Sequence, residues 1–210
     1  ISRVKITRII YTLLFIYSST YVCEFVGVNT GFPFGRYSYS GILKPHLFQV
    51  PLIIPLAWLM MLIPAWFVAL ILLDSINKSS DLKFRILFSI LSAGIFTAWD
   101  LFLDPQMVSW GIWSWEMPGA YFGIPLQNFL GWFLVSSTLT FIIEPYKRID
   151  RRHVNKGLYI YLLTWMFQTV GLGYFWRQPL PALCGFVGMG LFIIWVYVIK
   201  YRRWKYYFGQ

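Results

Sequence analysis

One stretch decides the fold class: FRILFSILSAGIFTAWDLFL, residues 84–103, is long and apolar enough to cross a membrane as a helix. Near its end it carries Asp100, and Asp104 follows one helical turn later. Carboxylic acids are costly to keep in hydrocarbon, so an acid in such a segment usually has a function. We therefore expect a membrane helix that ends in a functional acidic site.

The composition of the whole chain also indicates a membrane protein. Of its 210 residues, 58% are hydrophobic, 21% aromatic and 12% charged, which leaves too little polar surface to cover a water-soluble globule. Six apolar stretches predict an all-α, polytopic fold with about six transmembrane helices: 9–28, 47–73, 84–103, 124–143, 158–175 and 183–199. No linker, low-complexity tract or internal repeat divides the sequence, so residues 1–210 are expected to form one transmembrane domain. Because the chain begins at Ile1 rather than Met, we expect natural sequence to precede it.

Two stretches do not have the pattern of a membrane-spanning helix. Residues 29–41 mix Gly, Pro and aromatic residues and are expected to cap the site. Residues 110–123 are expected to form a short interfacial helix or a re-entrant turn, although an aromatic belt at the membrane surface would explain the same tryptophans. Within the second helix, Pro51, Pro55 and Pro64 are expected to bend the backbone.

The basic residues predict the topology. The net charge of +10 is concentrated in alternate loops, as the positive-inside rule requires of six helices with both termini in the cytoplasm. Attraction to anionic lipid explains this charge, and we exclude nucleic acid as a partner. The basic regions contain Arg3, Lys5 and Arg8; Lys78, Lys83 and Arg85; Lys147, Arg148, Arg151, Arg152 and Lys156; and Lys200, Arg202, Arg203 and Lys205. The opposite loops contain Arg36, Lys44 and Arg177.

The same topology divides the acids into two groups. Those among the basic loops are expected to be ordinary solvated partners: Asp74, Asp81, Glu144 and Asp150. Those toward the other, outer end are candidates for a site: Glu24, Asp100, Asp104 and Glu116.

Some enzyme classes are excluded by the residues that the chain lacks. It has two histidines, His46 and His153, too few for the iron of membrane hydroxylases and desaturases. Gly185, Gly188 and Gly190 lie in an apolar stretch rather than after a strand, so they do not form a dinucleotide-binding motif. We expect neither a metal ion nor a redox cofactor.

The remaining chemistry is that of acids among aromatic side chains. Apolar surroundings favour the protonated form of a carboxylic acid, which can then donate its proton to a lipid double bond. Aromatic faces stabilise the tertiary carbocation that results. Capture of water gives a tertiary alcohol, whereas loss of a proton isomerises the substrate and internal attack cyclises it.

Roles follow from position in the predicted helices. Asp100, the deeper aspartate, is expected to donate the proton, Asp104 to orient water and Glu24 to complete the acidic cluster, with Arg36 as the counter-ion. In an alternative hypothesis, Asp100, Asp104 and Arg36 form a purely structural ion-pair network. Further residues are expected to contact the substrate: Trp99, Trp110, Trp113, Trp115, Glu116, Tyr121 and Asn128.

Ordered blocks of sequence resemble a known family. They are Thr30-Gly31-Phe32-Pro33-Phe34-Gly35-x-Tyr37-x-Tyr39, then Val50-Pro51-Leu52-x-Ile54-Pro55-Leu56-Ala57-Trp58, then Ala98-Trp99-Asp100-x-x-x-Asp104-Pro105, and then Gly119-x-Tyr121-x-Gly123-x-Pro125-x-x-Asn128-x-x-Gly131-Trp132. From about residue 24 to residue 132 the chain resembles the carotenoid biosynthesis membrane family that contains the CruF-type carotenoid hydratases.

The resemblance implies a cofactor-independent hydratase of the hydro-lyase type. Its substrate would be the end of an acyclic or monocyclic carotenoid, and its location the cytoplasmic membrane of a prokaryote, in contact with membrane lipids. Other readings stay open: a carotenoid cyclase or isomerase, a prenyltransferase that holds Mg²⁺ on its aspartates, or a non-catalytic pigment-binding subunit associated with other membrane proteins.

Overall fold

Six helices form a bundle in the computed structural model, which describes residues 3–73, 82–145 and 153–208. They are α1 (Arg3–Thr30), α2 (Ile54–Leu72), α3 (Leu82–Ser109), α4 (Leu126–Ile143), α5 (Val154–Val170), which a π-helical turn (Gly171–Phe175) continues, and α6 (Pro179–Phe208). Within the described ranges, every helix except α5 is long and apolar enough to span a membrane. The prediction of an all-α polytopic fold is confirmed.

In the described part of the chain, four short strands lie between the helices at the end of the bundle where α1 and α3 finish, which we call the acidic end. They are β1 (Tyr37–Tyr39), β2 (His46–Leu47), β3 (Val50–Pro51) and β4 (Trp113–Trp115). β2 and β3 form a small hairpin, and β1 pairs antiparallel with β4 so that Tyr37 lies opposite Trp115 and Tyr39 opposite Trp113. The strands were not predicted, because two or three residues are too few for a pattern of alternation to stand out.

The segment 110–123 contains neither the predicted interfacial helix nor a single re-entrant turn. Gly111, with φ +64°, follows the end of α3, and the chain then runs extended through β4. A tight turn follows, in which Gly119 pairs with Gly123 and Tyr121 with Ile124. The extended conformation is favoured because the alternating Trp-Ser-Trp sequence matches Tyr-Ser-Tyr in β1.

The second helix begins later than predicted. Residues 47–53 form the β2–β3 hairpin and a turn instead of a helix, and Pro51 closes β3. Pro55 lies in the first turn of α2, where the missing N–H of proline removes no hydrogen bond. Among the three prolines expected to bend this helix, Pro64 alone is inside it.

The ends of α1 and α3 determine how deep the acids lie. α1 stops at Thr30 because Gly31 adopts φ +81° and its N–H donates to the Gly27 carbonyl over 2.7 Å. α3 is longer than predicted, since it continues through Pro105 to Ser109. Asp104 is therefore about 7 Å inside the end of α3, at the helical rise of about 1.5 Å per residue.

Aromatic side chains fill the centre of the bundle. Trp132 of α4 stacks on Trp58 of α2 and on Phe96 of α3, with ring centroids 4.6 and 5.1 Å apart. Gly131 lets α4 approach the 33–34 segment closely: a Cβ atom there would lie 2.7 Å from the Phe34 ring and 2.9 Å from the Pro33 carbonyl oxygen.

An ion pair joins α3 to the end of α4 at the opposite end of the bundle. The Arg85 guanidinium lies 2.8 Å from the Glu144 carboxylate and donates from Nε to the Phe141 carbonyl. Glu144 is thus a paired acid of the basic side, as expected. The predicted basic loops at 74–81 and 146–152, with Asp74, Asp81 and Asp150, lie outside the described residues.

Candidate active site

Three acids from two helices are buried together at the acidic end. Glu24 comes from the last turns of α1, whereas Asp100 and Asp104 lie one turn apart on α3. Their side chains are 3%, 0% and 2% exposed. Acids so fully removed from solvent need hydrogen-bond donors or a shared proton. The hydrogen-bond partners of each acid therefore indicate whether it is ionised or protonated.

Glu24 accepts hydrogen bonds from three donors. The Tyr39 hydroxyl donates to Oε2 over 2.8 Å, and the Tyr37 hydroxyl donates to the same oxygen. The indole N–H of Trp58, in α2, donates to Oε1 over 2.9 Å. Both carboxyl oxygens of Glu24 are therefore satisfied by groups that donate.

The two aspartates have fewer donors and contact each other. The Asn128 side-chain amide donates to Asp100 Oδ2 over 3.0 Å and also to Asp104 Oδ2. The Trp113 indole N–H donates to Asp104 Oδ1 over 3.2 Å. The two carboxyl groups lie beside each other at this shared amide, and Asp100 Oδ1 has no partner in the described part of the chain.

A cavity of about 190 Å³ separates Glu24 from the aspartate pair. Asp104 faces it, whereas Asp100 is not among its lining residues. The rest of the wall is mainly apolar and aromatic: Phe34, Tyr37, Tyr39, Leu43, Ile53, Ile54, Ala57, Leu103, Met107, Trp113, Trp115, Asn128 and Trp132. The arrangement can hold an apolar group between two carboxyl sites.

The two tyrosines of β1 are held as hydrogen-bond donors. Burial, followed by the negative charge of Glu24, raises the pKa of Tyr37 and of Tyr39 well above the ordinary value for a phenol. Both hydroxyls therefore keep their protons at neutral pH. Their rings also build the wall, since Tyr37 packs against Trp115 and Tyr39 meets Trp113 edge-on at 5.8 Å.

The structure brings several predicted site residues together. Glu24, Asp100, Asp104 and Asn128 form the polar part of the site, and two predicted tryptophans of β4 line the cavity: Trp113 and Trp115. Trp99 is buried beside Trp132 but does not line the cavity, and its indole N–H has no partner among the described residues.

Four predicted residues lie elsewhere. Arg36 and Glu116 are exposed, and Arg36 makes no ion pair within residues 3–73, 82–145 and 153–208, so the expectation of a counter-ion is corrected. Trp110 is 42% exposed and packs edge-on against Trp176, while Tyr121 donates to the Leu101 carbonyl on the far side of α3.

The alternation of side chains along the two paired strands explains the correction. Successive residues of a strand point to opposite faces. Because Tyr37 and Trp115 face the cavity, their neighbours Arg36 and Glu116 face outward, where the Glu116 N–H donates to the Arg36 carbonyl.

The aromatic residues that sequence reasoning missed in the site include Tyr37, Tyr39, Trp58 and Trp132. A signal for the tyrosines was present, because Tyr37-x-Tyr39 has the same period of two as Trp113-x-Trp115. Nothing distinguished Trp58 and Trp132 from other aromatic residues in apolar helices. Among the residues that the structure describes, no three His, Cys, Asp or Glu side chains are grouped so that they could hold a metal ion.

Comparisons with known proteins agree with the resemblance in the sequence. Over 126 residues, 60% of this chain, the sequence is 34% identical to a bisanhydrobacterioruberin hydratase of Haloarcula japonica, and the match covers 41% of that protein's length. No solved structure matches the chain. A family model described as carotenoid biosynthesis protein matches residues 1–193. The chain therefore belongs to the carotenoid biosynthesis protein family.

Proposed function

We propose that the protein is a carotenoid hydratase, which adds water across the terminal carbon–carbon double bond of an acyclic or monocyclic carotenoid. The observation that carries the proposal is one apolar, aromatic cavity flanked by two carboxyl sites with different hydrogen-bond partners. The name of the Haloarcula japonica relative, a hydratase, supports the reaction type.

The aspartate pair is the acid. Two buried carboxylates in contact repel each other strongly, so such a pair retains one proton that the two groups share. The donors around it fit that state, because the amide of Asn128 serves both carboxyl groups and the Trp113 indole serves Asp104.

Within the pair, Asp104 is the proton donor and Asp100 is a positioning residue. A general acid must reach the atom that it protonates, and Asp104 faces the cavity whereas Asp100 lies behind it. This proposal moves the role of proton donor from Asp100, where depth in the helix placed it, to Asp104. Both oxygens of Asp104 accept donated hydrogen bonds, whereas Asp100 Oδ1 has no partner among the described residues, so Asp100 holds the shared proton at rest and passes it to Asp104 as Asp104 protonates the substrate.

Glu24 is the base. Three donated hydrogen bonds satisfy both of its oxygens, a pattern that fits the ionised form, and its carboxylate lines the same cavity as Asp104. Two carboxyl sites with different surroundings can therefore serve as acid and base in one reaction.

The reaction balances in three steps. Asp104 gives its proton to the less substituted carbon of the double bond, which leaves a tertiary carbocation on the other carbon. Water attacks this carbon, a C–O bond forms, and the proton released by the water passes to Glu24. Return of that proton to the aspartate pair restores the starting state, so neither an oxidant nor a reductant is consumed.

Aromatic rings stabilise the cation. Trp132 and Trp115 line the cavity together with Tyr37, and ring faces attract a positive charge that has left water. Trp132 is itself fixed by its stacking on Trp58 and Phe96, so its face need not reorganise as the charge develops.

Expression in a host that accumulates an acyclic carotenoid, followed by mass analysis of the pigments, tests the proposal. The native chain is expected to add the mass of one water. Asp104→Asn is expected to lower hydration by at least about 100-fold, the contribution of a general acid, and Glu24→Gln and Asp100→Asn are expected to lower it as well. Glu116→Gln is the matched control and should retain hydration, because Glu116 is exposed directly after β4.

Other products would contradict the proposal in distinct ways. A new carotenoid of unchanged mass would indicate a cyclase or an isomerase. Bound pigment without any turnover would indicate a pigment-binding subunit. Normal hydration by Asp104→Asn would exclude Asp104 as the acid.

A further inference from the structure

The cavity is too small for a whole carotenoid. An apolar cavity of about 150 Å³ accommodates benzene, with its six carbons. On that scale the 190 Å³ beside Asp104 accommodates roughly eight carbons. This is enough for the terminal isoprenoid unit and the start of the next, and the remaining polyene must leave through the wall.

The wall is closed on most sides. Among the lining residues, most are buried, and Ile53 is the exposed one, with 52% of its surface accessible. Ala57, one helical turn farther along, is half-buried, as are Leu43, Tyr39 and Met107, so Ile53 is the most exposed point of the wall. The opening therefore lies beside the first turn of α2.

An apolar row continues from this opening along α2. Leu56 and Met60 are 52% and 53% exposed, and Ile63 and Phe67 farther along are half-buried. The spacing of three and four residues places all of these on one face of the helix. The exposed part of the row, from residue 53 to residue 60, extends for about 10 Å at the helical rise of about 1.5 Å per residue, and beyond it Phe67 lies against Gly157 of α5.

A larger groove elsewhere does not connect to the acids. It measures about 570 Å³ and lies between α3 and α4, where it is lined by residues such as Thr97, Leu101 and Phe129. It shares no lining residue with the cavity of Glu24 and Asp104. By size alone, this groove would be the better site for the polyene. The face of α2 is favoured instead because it is continuous with the cavity that holds the end group.

We propose that the polyene chain of the substrate leaves the cavity between Ile53, Ala57 and Leu43 and lies along the apolar face of α2. This inference rests on the proposed function, since the end group in the cavity is the one to be hydrated. The substrate then enters laterally from the hydrocarbon core of the membrane. Its end group binds in the cavity, while the rest of the polyene stays among the lipid tails. A polyene with an uncyclised end is the class of ligand that fits such a passage.

Tryptophan substitutions at the opening test the route. Ile53→Trp and Ala57→Trp are each expected to lower hydration of the full-length carotenoid by at least about tenfold, equivalent to a loss of about 1.4 kcal/mol. Leu130→Trp, at a 60% exposed position of α4 away from the opening, is the matched control and should behave as the native chain.

A second readout keeps the two proposals separate. Each variant is purified in detergent from the carotenoid-accumulating host, and pigment absorbance per protein is measured with the amount of folded protein. The native chain and Leu130→Trp should retain polyene, and the two tryptophan variants at the opening should lose it. If the native chain hydrates and both variants hydrate equally well, the route is wrong and the proposed function stands. If the native chain does not hydrate, the proposed function fails, and unchanged pigment retention by the tryptophan variants would overturn the route as well.

Discussion

At the scale of single residues, the candidate site consists of three buried acids and the side chains that donate hydrogen bonds to them. Asp100 and Asp104 stand out in any sequence as charges inside an apolar segment, because hydrocarbon excludes charge. Tyr37 and Tyr39 are amphipathic residues in a loop rich in aromatics, and such residues are common wherever a chain meets a membrane surface. Their contact with Glu24 depends on the folding of residues 31–36, which no local pattern specifies.

The side-chain amide of Asn128 is the donor that the two aspartates share. Its side-chain nitrogen contacts both aspartates, and replacing it leaves two buried carboxyl groups with one indole donor between them. Asn128→Ala is expected to lower the hydration rate by about 10- to 100-fold, since an unmade buried hydrogen bond costs about 1–3 kcal/mol.

Product formation per folded protein measures this effect. Gln127→Ala is the matched control, because the neighbouring amide is exposed and donates to the Gly31 carbonyl rather than to an acid. Equal losses in the two variants would mean that Asn128 acts through the general stability of α4 and not through the aspartate pair.

At the scale of elements, the helices were predictable because each must present an apolar surface of sufficient length to lipid. The positions of the helix ends were less predictable. α3 runs through Pro105 to Ser109, beyond the predicted end at residue 103, and α2 begins only at Ile54, because the apolar residues before it belong to a hairpin. Hydropathy records whether a residue prefers lipid or water, but not whether its backbone is helical.

The packing of α4 on the 33–34 segment gives a test at this scale. Gly131→Ala would force a Cβ atom against Phe34 and the Pro33 carbonyl, and Phe34 lines the cavity. We expect both a lower hydration rate and a loss of about 1–3 kcal/mol in stability, which is typical of overpacking.

Thermal unfolding in detergent, together with the product assay, measures the two effects. Gly94→Ala on α3 is the control, since the nearest atom to its Cβ would be the Phe192 ring at 3.6 Å, an ordinary contact. That variant should be neutral or more stable by up to about 1 kcal/mol, because alanine favours helix over glycine. A stable and fully active Gly131→Ala would show that the 33–34 segment can move without affecting the site.

At the scale of the whole molecule, the basic residues and the candidate active site lie at opposite ends of the bundle. The described basic residues near the start of α3 and α5 and the end of α6 share one end, and they include Arg85, Lys156 and Lys200. The buried acids lie at the other. The positive-inside rule therefore predicts that the basic end faces the cytoplasm.

A reporter fused after Gln210 tests this orientation. α6 runs toward the basic end, so a fluorescent protein at this position should fold and fluoresce in the cytoplasm, while alkaline phosphatase fused at the same position should be inactive. Active phosphatase would place the basic end outside and reverse the sidedness of the site. Paired fusions between α5 and α6, near Arg177, provide the opposite control.

The pairing of β1 with β4 has a consequence for how the site can change. β1 supplies two donors to Glu24 and β4 supplies a donor to Asp104, so a slip of one residue in the register would turn all of these side chains outward together. The same slip would carry Ser114 and Glu116 into the cavity. An insertion or deletion near these strands is thus expected to remove all of these side chains from the cavity at once and to abolish the activity. Substitutions along the proposed route on α2 are expected to change substrate preference gradually. Variation in this family should accordingly fall on the lipid-facing route and spare the length of the two strands.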